Sequence, residues 1–462
     1  MRYLTTYSLL VITFFCSGCG HHIGKAKESD LKQKANNEHV IKISRSEYRD
    51  SLYGFWLGQC IANWTGLVTE MDKIGNIGTL KTGDFYTRND WGKADQPSIW
   101  GQGIPSDLSK TIDFVLVGPD DIWGSDDDTD IEYIYQDLLK HSASVILSPE
   151  QIRDGWLKHI YSSSEPTPFG KDPEGNYENY LWVSNQKAYD LMQAGTLPPL
   201  SGSKSLNEHY DMIDAQLTTE VFGFFAPVRQ DVALTLSDLP IRAVADKEAA
   251  DIAKFYVTIY SLASLVDKSQ PAKDQVLWMA EQARKNLPDG QYPAAMYDFV
   301  KNLYLANTPW EKTRDAIYQR YQVEQMDGYT ITARNLYCNG CFAAGINFAA
   351  SLVSLFYGEG DLKETIKIGA LTGWDSDNPT ATWGGLLGFM YGKEKIEAAF
   401  NQQFSNRFNI HRTRKNFPNN GIDTFENMAQ TGVDIVDKVV VQLMGGSIDT
   451  KNDTWVIPVN PR

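Results

Sequence analysis

The stretch Gly369-Ala-Leu-Thr-Gly-Trp374-Asp375-Ser376-Asp377-Asn378-Pro379-Thr-Ala-Thr-Trp383-Gly384-Gly-Leu-Leu-Gly388-Phe-Met-Tyr391-Gly392 carries the densest chemistry in the chain. Alternating acids followed by Asn and Pro predict a tight loop that opens a helix, because Asn378 can accept from the first free N–H groups and Pro379 suits the first helical position. The carboxylates of Asp375 and Asp377 then sit at a helix start. Beyond them Gly384, Gly388 and Gly392 recur every fourth residue. A helix face without side chains lets another backbone come close, and a helix so rich in glycine is expected to be buried. A matching stripe, Gly54, Gly58 and Ala62, runs along the helix predicted over Ser46–Asn63, and the two helices are predicted to touch.

A second acidic loop, Gly124-Ser125-Asp126-Asp127-Asp128-Thr129-Asp130, precedes apolar residues at Ile131, Ile134, Tyr135, Leu138 and Leu139, which share one helical face. It too is read as a helix start. Bringing Asp126, Asp127, Asp128, Asp375 and Asp377 together gathers five carboxylates, which is unfavourable unless protons or cations compensate. Two divalent cations would nearly balance the set. Oxygen-only ligands, with neither His nor Cys in the two loops, point to a hard ion such as Mg²⁺, with Mn²⁺ or Ca²⁺ as alternatives.

The rest of the chain of 462 residues reads as a helical scaffold. Helices are predicted over Pro149–Ile160, Lys247–Val266, Lys273–Lys285, Tyr292–Ala306, Trp310–Gln322, Cys341–Phe356 and Leu362–Leu371, separated by breakers such as Pro271 and Pro288-Asp-Gly290. Strand signals are sparse apart from a small hairpin expected at Gly446–Pro458. The fold class is therefore all-α, a compact orthogonal multi-helix bundle with that C-terminal hairpin. A net charge of −15 argues against a nucleic-acid partner bound through a basic surface. Met1–Gly20 is a targeting segment, with Arg2 ahead of the apolar run Leu9–Phe15. Ser17-Gly18-Cys19 looks like a bacterial lipobox, in which Cys19 would be lipidated, although Cys16 stands where an aliphatic residue is usual; ordinary signal-peptidase cleavage is the alternative. The domain reading is a lipoprotein signal peptide over 1–19, a flexible tether over 20–44 and one helical domain over 45–462, giving an exported, membrane-anchored protein at the periplasmic face or cell surface. Cys338-Asn-Gly-Cys341 lacks a second cysteine pair, so buried thiols or one local disulfide are expected in place of a zinc site.

These motifs together resemble the ADP-ribosylglycohydrolase family. The Asp-Asp-Thr loop, the Gly-x-Asp-x-Asp loop running into a Gly-rich helix, and the opening helix from Gly54 through Gly58, Ala62 and Asn63 to Glu70 occur in the family's order. The resemblance implies metal ligands at Asp126, Asp127, Asp128, Asp375, Asp377 and Asn378, and proton transfer by Glu70 or Asp128. It further implies hydrolysis at the anomeric carbon of ADP-ribose or a related ribosyl or glycosyl compound. Asn63 is expected near the substrate. Asp214 and Glu220, isolated polar residues in an apolar segment, are read either as pocket-lining or as solubilising a helix, and aromatic residues of the long loop after Gly66, Trp100 among them, could stack on a purine or sugar. Asp126 stands where the family usually has Thr, Asn378 where Thr is frequent and Asn63 where Asp is frequent; metal binding is still expected, with the substrate preference open to change. The reading from another class is a surface lipoprotein that binds a sugar or nucleotide through the same metals without cleaving it.

Overall fold

Helix α1 (Arg45–Gly66) is the axis of the molecule: Ser44 caps it by accepting from the Glu47 N–H at 3.2 Å, and every residue from Leu52 to Ala62 is buried. The structure, a computed structural model, describes residues 40–101, 103, 105–171, 175–330, 338 and 340–459. The helices that follow are α2 (Asp127–His141), α3 (Pro149–His159), α4 (Val183–Gln193), α5 (Asp214–Thr218), α6 (Val221–Phe225), α7 (Gln230–Val244), α8 (Lys247–Leu262), α9 (Ala272–Arg284), α10 (Tyr292–Leu305), α11 (Trp310–Ile317), α12 (Ala344–Tyr357), α13 (Leu362–Thr372), α14 (Asp377–Tyr391), α15 (Lys393–Phe400) and α16 (Phe425–Gln442). The fold is all-α with small strands added.

The two glycine stripes meet as predicted. A Cβ on Gly58 would lie 2.4 Å from the Gly384 carbonyl oxygen and 2.9 Å from the Gly388 Cα, and one on Gly388 would lie 2.2 Å from the Gly54 carbonyl oxygen. α1 and α14 therefore pack backbone against backbone, and their ends are held in fixed register. α13 and α16 pack beside this pair, α12 packs on α13 and α14, and α8 joins α6, α7 and α12 into the same core.

Two small sheets complete the body. The expected C-terminal hairpin is formed by β5 (Ser447–Asp449) and β6 (Thr454–Pro458), and β1 (Val40–Ser44) adds to it in the order β1-β6-β5. Val40–Ser44 is thus a strand, a correction to the tether expected over 20–44. Its alternation explains the difference, since Ile41 and Ile43 pack on the core while Lys42 is exposed. The second sheet, β2 (Trp123–Gly124), β3 (Arg407–Asn409) and β4 (Ile422–Thr424), was not expected from sequence. β2 runs parallel to β3, with Trp123 opposite Phe408, and the ladder continues through Ser125 N–H to the Asn409 carbonyl at 3.1 Å. This pairing delivers the chain into Asp126.

Four helices also exceed the sequence expectation, and each has a physical reason. α4 has no side-chain cap at Trp182, α7 contains Pro240 in its interior, α15 follows Gly392 directly with no side-chain cap, and α16 follows a strand rather than a loop. The helix predicted over Trp310–Gln322 stops at Ile317 and continues as a π-helical turn, Tyr318–Val323. Cys338 and Cys341 form a disulfide, and Cys60 is a buried free thiol. No helix among the described residues is long and apolar enough to cross a membrane. The targeting segment, Cys19 and the tether up to residue 39 lie outside the described residues.

Candidate metal centre

The acidic loop before α14 is shaped by Gly373 and Trp374, whose φ angles are +102° and +58°. Glycine is needed at 373 on two counts: the left-handed backbone, and a Cβ there would lie 2.6 Å from the Lys73 carbonyl oxygen. The Trp374 N–H donates to the Lys73 carbonyl at 2.8 Å and the Met71 N–H donates to the Trp374 carbonyl at 2.9 Å, so the loop after α1 is stitched onto the loop before α14. Ser376 Oγ donates to the Gly66 carbonyl at 3.0 Å, and Thr69 Oγ1 to the Ala370 carbonyl at 2.5 Å. These bonds bring Glu70 to Asp375 and Asp377. The Asp375 N–H is in turn held by Asn347 Oδ1 at 3.3 Å, while Asn347 Nδ2 donates to the Cys341 carbonyl at 2.7 Å.

At the other loop, Asp126 caps α2 and its own N–H is held by Thr129 Oγ1 at 3.0 Å. Asp127 and Asp128 fall in the first turn, where the positive end of the helix dipole favours carboxylates. Arg412 Nη1 reaches Asp126 Oδ1 at 3.3 Å and the Ser125 carbonyl at 2.7 Å, with its guanidinium 4.8 Å from the Trp64 ring.

The two loops converge on one point. Asp126, Asp127, Asp128 and Asp377 each place a carboxylate oxygen within 4.8 Å of the others, and Glu70, Asp375 and Asp377 do the same, so Asp377 belongs to both groups. Burial, followed by the negative charge of the neighbouring acids, holds the carboxyl groups of Glu70, Asp127, Asp128 and Asp375 well above the usual carboxylate range, and burial pushes Asp377 up to about 6. So many acids at short range are costly as anions. Asp377 Oδ1 is moreover buried without a hydrogen-bond partner. Dense, oxygen-only and partly unsatisfied, the set fits two hard divalent cations better than it fits a merely structural role.

Of the remaining residues singled out from sequence, Asp214 lines the pocket over these acids, together with Trp100, Trp182 and Phe342. Its Oδ1 accepts from the Asn185 N–H at 2.9 Å, and burial raises it to about 6. Asn63 lies behind the cluster, donating to Asp126 Oδ2 at 3.2 Å and Asp128 Oδ2 at 3.5 Å. Asn378 donates to Asp128 Oδ1 at 2.9 Å while its own oxygen accepts from Gln216 at 3.2 Å, so here it braces a carboxylate and offers no oxygen to the cluster. Glu220 is not among the pocket-lining residues: it accepts from Thr382 Oγ1 at 3.0 Å, fully enclosed beside Glu132. Asn347, Trp182 and Phe342 were not singled out from sequence. A lone Asn in an apolar helix and aromatics far apart in the chain carry no local signal; Cys341, six residues ahead of Asn347 and next to Phe342, was the nearest cue.

An all-helical body that gathers six carboxylates, Glu70 and five aspartates, around one small pocket defines a candidate divalent-metal protein. A family model described as ADP-ribosylglycohydrolase matches residues 44–429, and the chain belongs to that family. Among solved structures it is similar to one titled "ADP-ribosylglycohydrolase-related protein complex", at 14% identity and a TM-score of 0.44, covering 85% of this chain and 98% of that one. Comparison with curated protein sequences gave no match.

Proposed function

We propose that this protein is an exported, metal-dependent hydrolase that cleaves an N- or O-glycosidic bond at the anomeric carbon of ADP-ribose or a related ribosyl or glycosyl compound. The observation that carries the reading is Asp377, shared by two carboxylate groups at the floor of one pocket. Asp126, Asp127, Asp128 and Asp377 would hold one Mg²⁺, and Glu70, Asp375 and Asp377 the other. When bound, the ions supply Lewis acidity and a template for the sugar hydroxyls and the attacking water.

The residues of the chain do the remainder. Glu70 is only partly buried and opens to the pocket, so its carboxylate can take a proton from water and return one to the departing group. Asp128 is the second candidate for that transfer; it too lines the pocket. Positive charge that develops at the anomeric carbon would be favoured by the surrounding carboxylates. Asn63 and Asn378 hold those carboxylates in place through side-chain amides, and Asn347 holds the Asp375 backbone N–H. Lipidation at Cys19 would tether the domain to a membrane. The test is release of ADP-ribose from mono-ADP-ribosylated protein or ribosyl esters by the soluble protein from residue 40 onward with Mg²⁺. Turnover abolished by chelation and by Asp375→Ala supports the reading; metal binding without turnover on any ribosyl or glycosyl substrate would replace it with the binding-protein alternative.

A further inference from the structure

The acidic pocket itself is small, about 20 Å³, close to the space one water needs. A much larger groove of about 380 Å³ adjoins it, and the two share Glu70 and Trp100 in their linings. Trp100 therefore stands on the seam. Its indole is 38% exposed and lies nearly parallel to Trp182, at 14° with ring centroids 6.2 Å apart, and to Phe342, at 18° and 5.8 Å. A bond positioned over Glu70, which both linings share, would have its leaving side in the groove.

The groove has a recognisable chemistry. Ser98 Oγ accepts from the Trp100 N–H at 3.3 Å and Ser106 Oγ accepts from the Leu108 N–H at 3.2 Å, which orients each hydroxyl and leaves its O–H as a donor. Asp107 supplies an exposed acceptor, and Leu67 and Pro105 supply apolar surface, while the buried Asp72 carboxylate is taken by the Tyr86 hydroxyl at 2.7 Å. Hydroxyls, a carboxylate and a flat indole suit a ring that has hydroxyl edges and C–H faces, whereas a phosphate would meet the exposed Asp107 carboxylate as a like charge.

We propose that this groove is the leaving-group subsite of the centre, and that it takes an uncharged, hydroxyl-rich group such as a sugar ring stacked on Trp100. The assignment rests on the hydrolase reading for the position of the cleaved bond. In that reaction the anomeric C–O bond breaks, water gives its hydroxyl to the anomeric carbon and its remaining proton to the departing oxygen, and a neutral alcohol is released into the groove.

The test is saturation-transfer NMR on the full chain with the neutral disaccharides sucrose, trehalose, lactose and maltose, each with and without Mg²⁺, and with ADP-ribose as competitor. At least one disaccharide is expected to saturate, and Trp100→Ala and Asp107→Asn are each expected to weaken it about tenfold, with Mg²⁺ binding by calorimetry unchanged. Asp107 is exposed, so its variant tests the groove without endangering the fold. Disaccharide binding that survives both substitutions, or binding of ADP-ribose in Mg²⁺ with none of any disaccharide, would overturn the assignment. Absence of Mg²⁺ binding in the wild-type chain would instead remove the hydrolase reading, while the metal-free disaccharide arm still decides whether the groove takes sugars.

Discussion

Asn347 shows how much of the centre is set by residues that never face the pocket. Its amide joins the Asp375 N–H to the Cys341 carbonyl, so the acidic loop is fastened to the start of α12. Groups that orient metal ligands typically tune affinity by roughly 10–100-fold, and Asn347→Ala is expected to lower Mg²⁺ affinity by that much while leaving both binding events visible in a titration. Glu220 makes a different kind of prediction. Burial raises it to about 8, above its ordinary value, so the folded chain keeps a proton that the unfolded chain gives up. The contribution is complete below the ordinary carboxylate range and is lost as pH rises through about 8. Glu220→Gln keeps the shape and removes the titration; between about pH 5 and 8 the chemical-denaturation stability of the metal-free variant is expected to fall less than that of the wild type, by at most ~1.4 kcal/mol per pH unit. Parallel pH profiles would show that Glu220 does not titrate in that window.

At the scale of elements, the central pair is α1 with α14. The Gly58 and Gly388 backbones are too close for a Cβ, so Gly58→Ala must push the helices apart or strain them. The cost is expected to be about 1–3 kcal/mol or more, read as a lowered thermal midpoint. Because Gly66 at the end of α1 abuts Asp377, where a Cβ would lie 2.4 Å from its Cα, the same variant should also weaken Mg²⁺. This pairing was legible in the sequence because glycine at every fourth position is a purely local signal with one physical meaning. The two acidic loops were legible as helix starts, but the expected cap at Asn378 is corrected: α14 begins at Asp377 behind Ser376, Pro379 is its third residue, and the Asn378 side chain turns to Asp128 and Gln216 because the cluster recruits it. Val40–Ser44, β2–β4 and α7 were not legible, because each depends on a partner distant in the chain or on packing that overrides a breaker such as Pro240. The supporting shell escaped on the same ground: Asn347 meets Asp375, and Trp182 and Phe342 meet Trp100, only after the chain has folded.

At the scale of the whole molecule, the metal and the fold are coupled. Six acids compressed around one pocket oppose the folded state until cations bind, and binding to the folded chain alone stabilises it by about 2.7 kcal/mol when free Mg²⁺ is 100 times its dissociation constant. The thermal midpoint is therefore expected to rise with Mg²⁺ and return on chelation; a midpoint indifferent to Mg²⁺ would mean that protons, not metal, compensate the cluster. Asp377 belongs to both carboxylate groups, and in the proposed centre it would join two metal sites into one. Calorimetric titration of the soluble protein with Mg²⁺, beside Asp377→Ala and Asp127→Ala, tests it most directly. Two ions per chain are expected in the wild type, one retained in Asp127→Ala and neither in Asp377→Ala at the same concentrations. Two ions retained without Asp377, or no Mg²⁺ bound by the wild type, would contradict it.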